Sequence, residues 1–197
     1  KKGEVAPRKF LRVLAGDEAT PYTEGSGRLE LAESVVDPSN PLTSRVMVNR
    51  IWQWHFGAPI VGSPNDFGPL GQEPTHPELL DWLALSFRES GGSFKKLHKL
   101  IVMSATYRQS SLGNSAKAKV DSSNQFLWRM NRRKLSAEEI RDSVLAVSGK
   151  LNLEMGGPGY YLFALEKTSH SPHYEYHKFN PEDAKSHRRS VYRFIVR

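Results

Sequence analysis

Asn40-Pro41-Leu42-Thr43-Ser44-Arg45-Val46-Met47-Val48-Asn49-Arg50-Ile51-Trp52-Gln53-Trp54-His55-Phe56-Gly57 is the stretch on which the fold turns. Asn40 is a strong N-cap, because its short side chain can accept from an unpaired N–H of the first turn. Pro41 sits where the missing amide hydrogen costs nothing. Gly57 then supplies a left-handed C-terminal stop. Between them Leu42, Val46, Asn49, Gln53 and Phe56 form one stripe, and Met47, Ile51 and Trp54 a neighbouring one. Two apolar stripes predict a central helix buried on more than one side. Trp52 and Trp54 diverge by about 200° on a helix, so they cannot make one stacking surface. Both are expected in the core. Asn49 lies on the buried stripe and needs partners, for which the backbone of the following loop is the natural source.

Moving outward, residues 57–77 carry a glycine or proline every few positions, with Ile60, Val61, Phe67 and Leu70 to pin them. An ordered loop packed on helices is expected there. Thr75 and Glu78 read as a capping box that starts a helix bearing Leu79, Leu80, Trp82, Leu83 and Phe87, ended by Gly91-Gly92. Ser93 caps a third helix with Phe94, Leu97, Leu100 and Ile101 on one face and Lys95, Lys96 and Lys99 on the other. Residues 104–124 read as a polar surface excursion. Phe126, Leu127, Trp128 and Met130 are expected to return to the core. Ser136 and Glu139 form a second capping box for a helix with Ile140, Val144, Val147 and Ser148 inward, stopped by Gly149. Tyr160–Leu165 and Ser190–Arg197 have strand composition, and the partner of the latter is either the former or a segment beyond the C-terminus. The predicted fold is mainly α, an α+β domain with about four helices, a long Gly/Pro loop and a small C-terminal strand element. Residues 1–36 read as an arm and 37–197 as a single helical domain.

The 197 residues have a hydrophobic share of 38% and a net charge of +7, sufficient for a globular core. The surplus is concentrated: residues 91–150 hold twelve basic against four acidic residues, while 37–90 are net acidic. Such a patch suits polyanions, and it equally describes the wet faces of amphipathic helices. No apolar run is long enough to span a bilayer. Cysteine is absent, so disulfides, thiolate metal sites and a cysteine nucleophile are excluded. The chain opens Lys1-Lys2-Gly3 without methionine, which reads as a piece of something longer, with no signal peptide in view.

Chemistry-bearing patterns are few. His170, His173 and His177 fall within eight residues beside Tyr174 and Glu175, a spacing that could ligate zinc or copper. Pro172 forbids a regular helix there, and surface hydrogen bonding and stacking are the expected roles, with no metal. The same Tyr/His mixture suits a sugar or polyanion platform. Asn131-Arg132-Arg133-Lys134 is the sharpest basic run, but no nucleic-acid motif surrounds it, and nucleic acid is not the expected partner. No G-x-S-x-G elbow, phosphate-cradling glycine loop or H-E-x-x-H occurs. Asn49, Arg50, Asp66, His76, Tyr107, Arg108, His170, His173, Tyr174 and His177 are the candidate binding residues.

Seven runs together carry a resemblance. They are residues 40–52; Ser63-Pro64-Asn65-Asp66-Phe67-Gly68 with Pro74-Thr75-His76-Pro77-Glu78-Leu79-Leu80-Asp81-Trp82-Leu83; Leu97-His98-Lys99-Leu100-Ile101 with Ser104-Ala105-Thr106-Tyr107-Arg108-Gln109-Ser110-Ser111; and Asn131-Arg132-Arg133 with Arg188-Arg189-Ser190-Val191-Tyr192. From about residue 28 onward the chain resembles a planctomycete-specific domain of unknown function found downstream of cytochrome-c-like modules in large secreted proteins. The resemblance carries no activity and no catalytic residues. It implies an extracytoplasmic parent, other domains of that chain as partners, haem only in a neighbouring module and no cofactor in this segment. It also implies continuation beyond Arg197, so the domain would be truncated on its C-terminal side. The functional expectation is a non-catalytic binding or scaffold module, with anionic polysaccharide as ligand. The alternative is a hydrolase-type domain in which Asn49, Arg50, Asp66, His76 and Tyr107 converge under the 57–77 loop.

Overall fold

The computed structural model describes residues 3, 6–17, 19–167 and 170–196. Lys1, Lys2 and Arg197, used in the sequence reading, lie outside them. The elements run α1 (Arg12–Ala15), α2 (Arg28–Val36), α3 (Pro41–Phe56), α4 (Pro77–Glu89), α5 (Phe94–Met103), α6 (Ala105–Arg108), α7 (Ser115–Val120), α8 (Ala137–Val147), β1 (Ala164–Lys167) and β2 (Pro172–Glu175). The fold is mainly α with one small antiparallel ribbon, as the sequence predicts. Two compact units divide at Arg132/Arg133, where the sequence reading has one domain over 37–197.

The first unit is built on α3. Asn40 accepts from the Leu42 amide at 3.0 Å, and Gly57 turns left-handed at φ 77° while its N–H closes on Gln53. Val48, Asn49, Ile51, Trp52 and Phe56 are buried, a single broad stripe rather than two. Trp52 is 6% exposed and stacks on Phe56 at 4.1 Å between ring centroids, whereas Trp54 is 66% exposed. The expectation that both tryptophans are core therefore fails for Trp54. The divergence of about 200° is the reason, since a helix packed on one side cannot hide both rings. α4 packs chiefly on α3 and brings Leu80, Leu83 and Phe87; α5 adds Leu97 and Ile101. Each fully buried side chain of this kind contributes about 1.5–3 kcal/mol.

The start of α4 departs from the predicted capping box. The helix begins at Pro77 with His76 as N-cap and no side-chain cap. Thr75 is occupied elsewhere: its N–H donates to the Ile60 carbonyl at 2.9 Å and its hydroxyl does so at 3.3 Å. Trp82, expected inside, is 53% exposed, because Leu80, Leu83, Ala84 and Phe87 take the buried side of α4.

Residues 104–124 are more ordered than a surface excursion. Ser104 caps α6 and Asn114 caps α7. Beyond them, buried Asp121 organises the chain, accepting from the amides of Gln125 and Phe126 at 2.9 and 2.8 Å, while the Trp128 indole donates to its carbonyl. Asn131 then reaches the Phe56 carbonyl at 3.0 Å and ties this loop to the end of α3. Leu127 and Met130 lie on the core, but Phe126 remains exposed.

The second unit is held differently. The capping box at α8 is present: the Glu139 amide donates to the Ser136 hydroxyl, and the Ser136 amide returns to the Glu139 carboxylate at 2.8 Å. The predicted inner face, however, points outward. Ile140 and Val144 are exposed, and Val147 is 91% exposed. Arg141 and Asp142 face the rest of the unit instead. Arg141 donates to the carbonyls of Ser186 and Arg188 and to the Ser190 hydroxyl, and Asp142 accepts from the Ser190 amide and hydroxyl at 2.9 and 2.6 Å. Arg188 is 8% exposed and donates to the carbonyls of Pro158 and Gly156, with its guanidinium 3.9 Å above the Tyr192 ring. Residues 190–196 do not form a strand. With the Ser190 N–H taken by Asp142, residues Ser190–Tyr192 curl into a 3-10 turn, and only Arg193 bridges to Tyr160. The predicted 160–165 strand is shifted to β1, which pairs with β2 in a register of Ala164 to Glu175.

Candidate functional site

The residues nominated in the first unit have separate duties. Asn49 is fully buried and clamps the loop, accepting from the Val61 amide at 2.9 Å and donating to the Val61 carbonyl at 3.1 Å. That is the partnership its position on the stripe demands. Arg50 is exposed and donates to Asn65 at 2.9 Å. Asp66 caps a turn by accepting from the Gly68 amide, and its carbonyl lies where a Cβ on Gly71 would come within 2.3 Å. His76 bonds the Thr75 hydroxyl, Tyr107 packs edge-on against His55 and Phe56, and Arg108 is exposed. Asn49 is thus committed to the loop backbone, and Asp66 Oδ1 to the Gly68 amide.

Sequence reading missed the pairing of His55 on α3 with His98 on α5, whose ring nitrogens lie 2.7 Å apart. It also missed an open groove of about 840 Å³ between α4, α5 and the 126–127 segment. Trp52, Leu83 and Ile101 form its buried floor; Trp82, Leu100, Met103 and Phe126 form exposed walls; Lys96 and Lys99 stand on the rim. The available signal was helical spacing: Lys96, Leu100 and Met103 recur at intervals of four and three on one face of α5.

In the second unit, His173 and Tyr174 lie on β2, opposite Glu166 and Leu165. His177 approaches Glu175 at 3.2 Å, and His170 sits at the ribbon turn. Among the described residues no three or more His, Asp or Glu side chains are grouped to hold a metal ion. The ribbon contributes to an aromatic cluster centred on buried Phe163, with Tyr161 at 5.2 Å, Tyr174 at 5.0 Å and Tyr176 at 5.4 Å between ring centroids. Tyr161, Tyr174, Tyr176 and Phe194 all keep an exposed face.

Beside this cluster opens a cavity of about 730 Å³. Tyr161, Phe163 and Phe179 form its apolar side, and Asn152, Asn180 and Lys185 bring polar groups. Lys178 also lines it but is bound to Glu166. That hydrogen bond raises the Lys178 pKa and lowers that of Glu166, so both stay charged and mutually satisfied. Lys185 has no acidic partner within salt-bridge distance among the described residues. The glycine run that borders the cavity is held by Arg188, which also lines it and donates to the Pro158 and Gly156 carbonyls. This is a preformed concave site with aromatic faces, amide groups and one uncommitted cation.

A family profile described as "PSD1: Protein of unknown function (DUF1553)" matches residues 27–197. No curated protein and no solved structure matches the chain.

Proposed function

Because the chain belongs to this PSD1 family, a family without a stated activity, we propose that it is a non-catalytic binding module for anionic glycans. The second-unit cavity is the place where it takes them. The observation that carries the reading is the juxtaposition of exposed Tyr161 with Asn152, Asn180 and uncommitted Lys185 around one opening. A pyranose ring presents a C–H face that suits an aromatic ring, hydroxyls that suit amides, and, in uronic or sulfated sugars, a charge that suits an ammonium. The Tyr174 and Tyr176 rings extend the aromatic surface beyond the cavity, as a polymer with more than one sugar in contact requires. The extracytoplasmic parent and the haem-bearing neighbour implied by the resemblance belong to the same proposal, since such a module would present polysaccharide to the other domains of its chain.

Affinity electrophoresis in gels containing polygalacturonate, dextran sulfate or neutral dextran tests this. Retardation by either acidic polymer at low salt is expected, weakening as salt screens the cation, with none by neutral dextran. Tyr161→Ala and Lys185→Glu should each reduce retardation severalfold while leaving the circular dichroism spectrum unchanged. Equal mobility in all three gels, or retardation untouched by both substitutions, refutes the reading.

A further inference from the structure

We infer that the groove of the first unit is a second, independent site, which takes the anion of a long-chain carboxylic acid, with its head at Lys96 and Lys99 and its chain running toward Met103. Three observations carry this. The groove is concave, with Trp52, Leu83 and Ile101 buried beneath it, and its volume of about 840 Å³ falls within the range of small-molecule sites. Its α5 wall changes character along the helix, since Lys96 and Lys99 come before Leu100 and Met103. Neither Lys96 nor Lys99 has an acidic partner within salt-bridge distance among the described residues, whereas Arg12, Arg45, Arg133, Arg141, Lys150, Lys178 and Arg193 do. Two cations without an acidic partner among the described residues, next to an apolar channel, match a ligand that is charged at one end only.

The lining of the groove selects the rest of the ligand: besides its lysines, its side-chain hydrogen-bonding groups are His76, Ser104, Thr106 and the indole N–H groups of Trp52 and Trp82, set among leucines, Ile101, Met103 and Phe126. The Ser104 hydroxyl already donates to the Ile101 carbonyl at 2.7 Å and accepts from the Tyr107 amide at 3.1 Å. The His76 ring is bonded to Thr75. An extended peptide or a sugar laid along these walls would leave its polar groups unpaired, at a cost that an alkyl chain avoids. Exposed Trp82 and Phe126 would then be covered by methylenes.

Titration of the protein with dodecanoate, dodecanol and dodecyltrimethylammonium, each below its micellar concentration, tests the inference through tryptophan emission and calorimetry. Dodecanoate is expected to bind at one site, about tenfold or more tighter than dodecanol, as a charge-assisted contact gives, and the ammonium compound no tighter than the alcohol. Lys96→Glu with Lys99→Glu should abolish the preference for the carboxylate, and Leu100→Glu should abolish binding, with thermal melting confirming that each variant folds. Equal binding of all three amphiphiles overturns the proposal, as does binding only to vesicles containing dodecanoate, which would indicate a bilayer contact. Failure of dodecanoate alongside tight binding of an acidic amphipathic helical peptide overturns it too, in favour of a polypeptide occupant. None of these outcomes bears on the polysaccharide gels, whose variants lie in the other unit.

Discussion

The two units solve the same problem with different chemistry. In the first, Val48, Ile51, Phe56, Leu83, Leu97 and Ile101 are almost wholly removed from water, and polar groups such as Asn49 serve to hang a loop on that apolar mass. In the second, α8 buries no residue fully, Ile140, Val144 and Val147 face outward, and the interior is occupied by Arg188, Ser186 and Ser190 with Tyr160 and Phe163. Burial of hydrocarbon is forgiving of exact geometry, whereas a guanidinium shared among carbonyls is not, because each lost acceptor leaves a desolvated donor.

The sharpest break of this contrast comes from Phe56→Ala, which removes the ring that touches both Trp52 and Tyr107. It should cost the first unit about 4 kcal/mol in urea unfolding, with hydrogen exchange in residues 133–196 left slow. Arg188→Leu is the matching experiment. It should cost about 3 kcal/mol and raise exchange across 152–160 and 186–194, leaving α3 to α5 protected. If the two substitutions gave the same exchange pattern, the distinction between the units would collapse.

Acid sharpens it further. The Arg133 guanidinium, aided by the Ser136 amide, holds the Glu139 carboxyl at about 2. Burial pushes the Asp142 carboxyl up, but the Ser190 hydroxyl and amide and the Arg141 charge pull it below its ordinary value. Depressed carboxylates stabilise the fold above their unfolded pKa and lose that contribution as pH falls through the folded one. Unfolding followed between pH 5 and pH 2 should therefore show the second unit weakening as acid neutralises Glu139, from its ordinary 4.5 toward about 2, and Glu139→Gln should flatten that slope. The smallest effects are expected at the misplaced apolar positions. Trp54→Ser and Val147→Ser should each change stability by no more than about 0.5 kcal/mol.

What was legible in the sequence was whatever is decided locally. Asn40, Pro41 and Gly57 bound α3 because capping is a matter of three or four neighbouring residues, and the Ser136–Glu139 box is readable for the same reason. The Asn49 clamp was legible because a polar residue on a buried stripe has to be answered from nearby. The facing of α8 was not, since Ile140, Val144 and Val147 look like a core row until Arg141 and Asp142 find carbonyls and a serine some 45 residues away. Thr75 misled because Ile60 competes for it. Only the α5 wall of the groove has a local signature, its helical spacing; the other walls, and those of the second-unit cavity, come from segments separated along the chain. Of the residues weighed in the sequence, Trp52 and His76 line the first-unit groove, and Tyr174 of the Tyr/His ribbon packs on Phe163, which lines the second-unit cavity.

Arg188 works as a plug whose socket, the 154–158 segment, is made some thirty residues earlier. Any shortened form of the protein whose boundary falls between the two would keep the receptacle and discard what fills it, exposing bare carbonyls and a cluster of rings. The place to cut, for anyone preparing a smaller fragment, is ahead of Arg133 or not at all.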